Sequence, residues 1–216
     1  MAYRDISPVE ADALRRWYEH GKLIGGIGSD TLEDLLDISS NYIDVVRRDF
    51  SFNAHVSILD LGSGVGIPGL PMAVLAPNWQ FCLLESMTKR GSHAKHSCEE
   101  LGILDRVSIL IGRAEQLRAD LMSQFDVVVS RCFGNPALLV ELGLPFVRIG
   151  GIIVVSEPPN SDAGLRWRTD VLAKLGVKGP EFVVVRERHY AVLRKIRSLR
   201  PAGARQYSQI LKNPLW

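Results

Sequence analysis

Apolar positions along the chain follow two rhythms, one helical and one strand-like, and the change between them falls near Val56. Val9, Ala13, Leu14 and Trp17 recur at helical spacing, with Ser7 or Asp5 as a cap and Pro8 in the first turn, which predicts a helix ending around His20-Gly21. The glycine-rich stretch from Lys22 to Gly28 reads as a loop. A second helix, started by Ser29 or Asp30, carries Leu32, Leu35, Leu36 and Ile38 on towards Val46. Both helices are expected to cap a sheet.

From Val56 onward, short apolar runs alternate with helical patterns. The predicted strands are Ser57 to Leu61, Gln80 to Glu85, Val107 to Ile111, Asp126 to Ser130 and Gly151 to Ser156. Such alternation implies a parallel sheet covered on both faces. Phe182 to Arg186 and Tyr190 to Ile196 lie too close together for a crossover helix, so they should pair antiparallel. The expected fold is therefore α/β: a doubly wound, Rossmann-like sheet of five parallel strands with a C-terminal antiparallel hairpin. Its expected division is a helical cap over 1–50, a ligand-binding domain over 51–200 and a basic tail over 201–216, the last read as mobile or ordered by a partner.

With 216 residues, 46% of them hydrophobic, the chain can bury one substantial core. It has no run of eighteen apolar residues and no apolar segment near its start, so a cytosolic protein without membrane contact is expected. Cys82, Cys98 and Cys132 form no C-x-x-C pair, which predicts buried or incidental thiols and no metal. A nucleophilic Cys132 would lack an evident partner histidine. The net charge of +2 divides unevenly: the chain from Glu181 onward carries +6 and the remainder −4. A basic end can meet phosphates, and it can equally be a solvated strand face with a loose tail.

The chemistry is concentrated in Ile58 to Gly69, I-L-D-L-G-S-G-V-G-I-P-G. A buried strand here runs into a turn whose Gly62, Gly64 and Gly66 leave no side chains to block a nucleotide-type ligand. Gly64-x-Gly66-x-x-Gly69 matches the dinucleotide pattern, a weak signal alone. Asp60, just before the loop, would repel a pyrophosphate but suits the ammonium and sulfonium charges of S-adenosyl-L-methionine. Glu85, ending the second strand, can accept two ribose hydroxyls. Gly112-Arg113-Ala114-Glu115, in the loop after the third strand, falls where an adenine ring would lie, and its Arg113 and Glu115 can equally be ordinary helix-start charges.

Together, D-L-G-S-G-V-G-I-P-G-L-P with V-L-A-P, L-L-E-S-M-T-K-R, R-A-E-Q-L and F-D-V-V-V-S-R-C-F resemble the bacterial glucose-inhibited division protein B family, between about Ile58 and Gly151. The resemblance implies a class I methyltransferase fold and methylation of guanine N7 in small-subunit ribosomal RNA, with S-adenosyl-L-methionine as cofactor. It implies that Gly62, Gly64, Gly66 and Glu85 hold the cofactor, that Ala114 and Glu115 flank its adenine, and that Lys89, Arg90 and Arg131 line a site for cofactor or RNA. Arg131, which follows the fourth strand directly and can reach phosphate or base edges, is by this resemblance the candidate catalytic residue. Two departures concern the acceptor side. The N-terminal helices lack the family's N-L-T and histidine-aspartate-serine elements, of which Asn41-Tyr42-Ile43 is the nearest remnant, and Ser156-Glu157-Pro158-Pro159 replaces a lysine-glycine pair.

The fourth strand ends in Ser130-Arg131-Cys132-Phe133 and not in the N-P-P-Y type element that cradles an exocyclic nitrogen. Guanine N7 carries an in-plane lone pair and needs no such cradle. Phe133 can stack on a base, and Arg188 and Arg194 on the hairpin can hold RNA. Three readings remain open: an RNA methyltransferase, a small-molecule methyltransferase in which Glu157 or His189 serves as a base, and a cofactor-binding protein without turnover.

Overall fold

The computed structural model of the chain describes residues 5–117, 119–131, 134–158, 166–198, 205 and 207–216. Two helices come first, α1 (Pro8–Leu23) and α2 (Leu32–Val46). The first begins as expected at Ser7, in a reciprocal capping box with Glu10, and runs on past the expected stop at His20-Gly21 to Leu23. The second starts later than expected. Its cap is Thr31, whose hydroxyl accepts the Asp34 N–H at 3.1 Å while the Asp34 carboxylate accepts the Thr31 N–H at 2.9 Å. A Thr-x-x-Asp box closes two open donors, which neither Ser29 nor Asp30 does here.

The remaining elements alternate: β1 (Ser57–Leu61), α3 (Gly69–Leu75), β2 (Gln80–Glu85), α4 (Thr88–Glu100), β3 (Val107–Ile111), α5 (Ala114–Leu117), β4 (Phe125–Ser130), α6 (Pro136–Gly143) and β5 (Val147–Glu157). Then come α7 (Thr169–Lys174), β6 (Val177–Val185), β7 (Arg188–Lys195) and α8 (Tyr207–Lys212). All seven strands form one sheet in the order β3-β2-β1-β4-β5-β7-β6. The first five are parallel, and β7 is antiparallel to both its neighbours. β4 starts one residue earlier than read, at Phe125, and three strands extend further: β5 starts at Val147, β6 at Val177 and β7 at Arg188. The added residues include exposed or polar positions, Arg148 to Gly150 in β5, Lys178 and Glu181 in β6 and Arg188 and His189 in β7, so backbone pairing with a neighbour, and not an unbroken apolar run, extends them.

Sheet order decides where a ligand can sit. The chain winds from β1 outward to β3 and then returns to β4 on the other side of β1. The crevice at the carboxyl ends of β1 and β4 is thus the topological switch point, where open α/β sheets bind ligands. One core, on the α2–α3–α4 face, includes Leu14, Trp17, Tyr42, Ile58 and Tyr190; the other includes Leu59, Leu139, Phe146 and Leu193.

The C-terminal tail corrects the sequence reading. Residues 207–216 are not a loose tail: Ile210 is 2% exposed, and Tyr207, Leu215 and Trp216 pack on the second core. Tyr207 and Ile210 stand three apart, on one face of a single helical turn and a half, too short a pattern to register against the polar composition around it.

Candidate active site

The loop from Gly62 to Gly66 carries positive φ at each of its three glycines, 73°, 59° and 104°. Gly64 faces open space, whereas a Cβ at Gly69 would come within 2.4 Å of Leu83 and 2.8 Å of the Asp60 carboxylate. The first glycines therefore bare backbone to a ligand, and Gly69 lets α3 press against β1 and β2.

Two buried carboxylates shape this loop from opposite sides. Asp60 is fully buried, and its Oδ2 accepts the Gly69 N–H at 2.8 Å. Burial pushes its pKa up to about 7, with the Gly69 hydrogen bond opposing the shift and the nearby Glu85 charge adding to it. Asp60 thus supports the loop from behind instead of projecting a full charge towards a ligand. Glu85 accepts the Gly64 N–H through Oε2 and the Met87 N–H through Oε1, both at 2.8 Å. It also lines a cavity of about 390 Å³ that runs from Gly62 past Met87 and Arg90 to Gly112, Ala114 and Glu115.

This cavity fits the nucleoside half of S-adenosyl-L-methionine. Glu85 Oε2 keeps a lone pair for a ribose hydroxyl, Oε1 already accepting from the Met87 N–H and from the Ser86 hydroxyl, and Ala114 adds a small side chain to the lining. Gly62, Glu85, Arg90, Ala114 and Glu115 therefore meet in one place, as their motifs led one to expect. Lys89 stands exposed on α4 beside Arg90 without lining it.

Two further cavities continue from the first. One of about 270 Å³ shares Gly62 and Arg90 with it and includes Ser63, Gly64, Asp30 and Arg131. The next, of about 450 Å³, shares Arg131 and is lined by Glu157, Arg166, Arg188, His189 and Tyr190. Arg131 thus stands at the junction, where its guanidinium donates to Asp30 at 2.7 Å. Glu157, with a buried side chain, accepts from the Arg166 guanidinium and from the Trp167 indole N–H, the latter at 3.1 Å. In the segment Glu157-Pro158-Pro159, Glu157 is thus a charged anchor for residues 166–167; Pro159 lies outside the described residues.

The basic end divides. Arg194 is paired with Asp49 and with the Gly150 carbonyl, and its register opposite Ile152 puts it towards the far edge of the sheet, away from these cavities. Arg186 donates to Ser40 and Asn41, Arg197 to the carbonyls of Ala173 and Lys174, and Arg205 to Glu141. Lys195 is buried against the carbonyls of Leu144 and Val147. Much of the basic excess is thus engaged by partners within the chain, although only Lys195 among these is buried. Lys89, Arg90 and Arg188 form no ion pair among the described residues. Phe133 and Cys132 lie outside the described residues, and burial raises the thiols of Cys82 and, to about 12, Cys98.

Sequence reasoning missed four residues here. Trp17 donates its indole N–H to the Val65 carbonyl at 2.7 Å, pinning α1 to the glycine loop. Tyr42 donates to the Ser130 carbonyl at 2.6 Å and accepts from the Ser156 N–H at 3.1 Å, tying together the ends of β4 and β5. Asp30 and Tyr207 complete the set. Only contacts distant in sequence reveal them; the Trp17 and Tyr42 positions signal no more than core.

A seven-stranded sheet of this order, with a glycine loop and an acidic residue at the ends of its first two strands, defines a Rossmann-like class I methyltransferase fold. Solved structures agree: an O-methyltransferase from Bacillus cereus in complex with SAH (TM-score 0.60, 16% identity, covering 85% of this chain and 91% of that one) and the O-methyltransferase TomG from Streptomyces achromogenes in complex with SAM (TM-score 0.60, 17% identity, 91% and 93%). The family model described as rRNA small subunit methyltransferase G matches residues 23–190, and the chain belongs to that family. A relative named Ribosomal RNA small subunit methyltransferase G, from Streptococcus pyogenes serotype M49, is 35% identical over 132 residues, 60% of this chain and 55% of that protein. The chain's match thus spans about half the length of these curated relatives.

Proposed function

We propose that this protein is an S-adenosyl-L-methionine-dependent methyltransferase acting on small-subunit ribosomal RNA, with guanine N7 as the acceptor atom. The observation that carries the reading is the chain of three cavities joined at Gly62, Arg90 and Arg131. Its first member suits a nucleoside, and its last brings Arg131, Arg166 and Arg188 together with Glu157 and Glu187. The family assignment supports the acceptor class, and the exposed Lys89 and Arg188 supply charge for a polyanion.

When bound, the cofactor supplies a methyl group activated by its sulfonium. The protein's part is positioning, since in-line displacement rewards a held geometry more than proton transfer. Glu85 and the glycine loop hold the donor side. Arg131, fixed by Asp30, presents a rigid cation at the junction, where it can orient an acceptor ring without giving up a proton. N7 attacks through its own lone pair, so no base is required.

The test is incubation of the purified protein with methyl-labelled cofactor and separated small ribosomal subunits, RNA and metabolite fractions. Label recovered in 7-methylguanine supports the reading; label confined to metabolites, or none, sinks it. Arg131→Lys should reduce transfer by up to about 100-fold, because charge survives while planar geometry does not. A small-molecule acceptor is the second reading, favoured by one observation: Glu157 and His189 are register partners on β5 and β7 and both line the third cavity. The His189 imidazole there can take a proton from an acidic acceptor, with the Glu157 carboxylate, held by Arg166 and Trp167, beside it.

A further inference from the structure

The family match ends at residue 190, yet the chain beyond it returns to the site. Arg205 donates from Nε to Glu141 at 2.6 Å and makes a second hydrogen bond to the same carboxylate. Ile210 fills the second core, and the Trp216 indole N–H donates to the Arg166 carbonyl at 3.0 Å. Between these anchors, Tyr207 forms part of the wall of the 390 Å³ cavity, at the end occupied by Gly112 to Glu115. The Arg113 guanidinium sits 5.4 Å from the centre of its ring. One aromatic side chain thus faces the nucleoside end of the cavity, braced by a cation and by a helix fastened at both ends.

We infer that Tyr207 is a cofactor-binding residue, and that the C-terminal segment is a strap setting affinity for the nucleoside half of the donor. The inference rests on the reading that this cavity takes S-adenosyl-L-methionine. A purine packs on an aromatic face irrespective of what is attached to its ribose. Loss of the ring should therefore weaken S-adenosylmethionine and S-adenosylhomocysteine by the same factor, and leave the acceptor side unaffected.

Calorimetric titration of the full-length chain with each of these two ligands tests it. Tyr207→Ala and Tyr207→Leu should weaken both roughly tenfold, while Tyr207→Phe stays within about twofold. In turnover assays the KM for cofactor should rise while kcat at saturating cofactor holds, the pattern of lost uniform binding. Tyr207→Leu keeps apolar packing, so a loss there, with an unchanged melting temperature of the ligand-free protein, separates the ring from the fold. Wild-type binding retained within twofold in both Tyr207→Ala and Tyr207→Leu overturns the inference; so does a Tyr207→Phe defect as large as that of Tyr207→Ala. Failure of the wild-type chain to bind either nucleoside would instead overturn the reading of the cavity itself.

Discussion

At the scale of single residues, the two carboxylates of the glycine loop do different work. Glu85 faces the cavity while holding Gly64 and Met87, so Glu85→Gln should weaken cofactor binding by about 10- to 100-fold in calorimetry, as expected for charge-assisted hydrogen bonds. Asp60 is sequestered, and its raised pKa links stability to pH. A carboxyl whose folded pKa of about 7 exceeds its ordinary 3.8 favours the folded state fully below the lower value, and that contribution is lost as pH rises through the upper one. Wild-type protein should therefore lose stability relative to Asp60→Asn between about pH 4 and pH 7, and the difference should level off above. Urea midpoints at several pH values measure it; parallel profiles for the two proteins would contradict the burial argument.

At the scale of elements, the N-terminal helices do more than cover the sheet. Trp17 ties α1 to the glycine loop, Asp30 ties the α1–α2 connection to Arg131, and Tyr42 ties α2 to the ends of β4 and β5. Trp17→Phe leaves the Val65 carbonyl without its donor and should cost about 1 to 3 kcal/mol in urea unfolding, together with weaker cofactor binding. Thr31→Ala breaks the capping box of α2 and should cost about 1 kcal/mol, with cofactor affinity much less affected. A finding that both variants perturb binding equally would deny α1 a special hold on the loop.

At the scale of the molecule, charge is distributed by the fold and not by the composition. Arg186, Arg194, Arg197 and Arg205 are committed to internal partners, whereas Arg188 lines the third cavity without an ion pair among the described residues. RNA affinity should fall steeply with salt, and Arg188→Ala should flatten the log–log slope by about one phosphate's worth, while Arg194→Ala leaves it unchanged. Filter binding across a salt series measures both slopes. Equal effects of the two variants would return the hairpin to a uniform basic surface. Among the described residues, no helix is long and apolar enough to cross a membrane.

Local patterns sufficed for whatever depends on neighbours in sequence. The alternation of short apolar runs and helical stretches determined the parallel sheet, the close spacing of the last two runs determined the hairpin, and Gly62-x-Gly64-x-Gly66 with Glu85 determined the glycine loop and the acid that faces it. These follow from periodicity and backbone freedom, which a chain carries with it before folding. Tertiary structure alone decided that Asp60 is buried behind the loop, that Asp30 pairs with Arg131, and that Arg194 is directed away from the crevice. It also brought Tyr207, nearly a hundred residues from Arg113, to the wall of the cavity. Burial and long-range pairing depend on which elements the sheet order makes adjacent, and no local pattern carries that order.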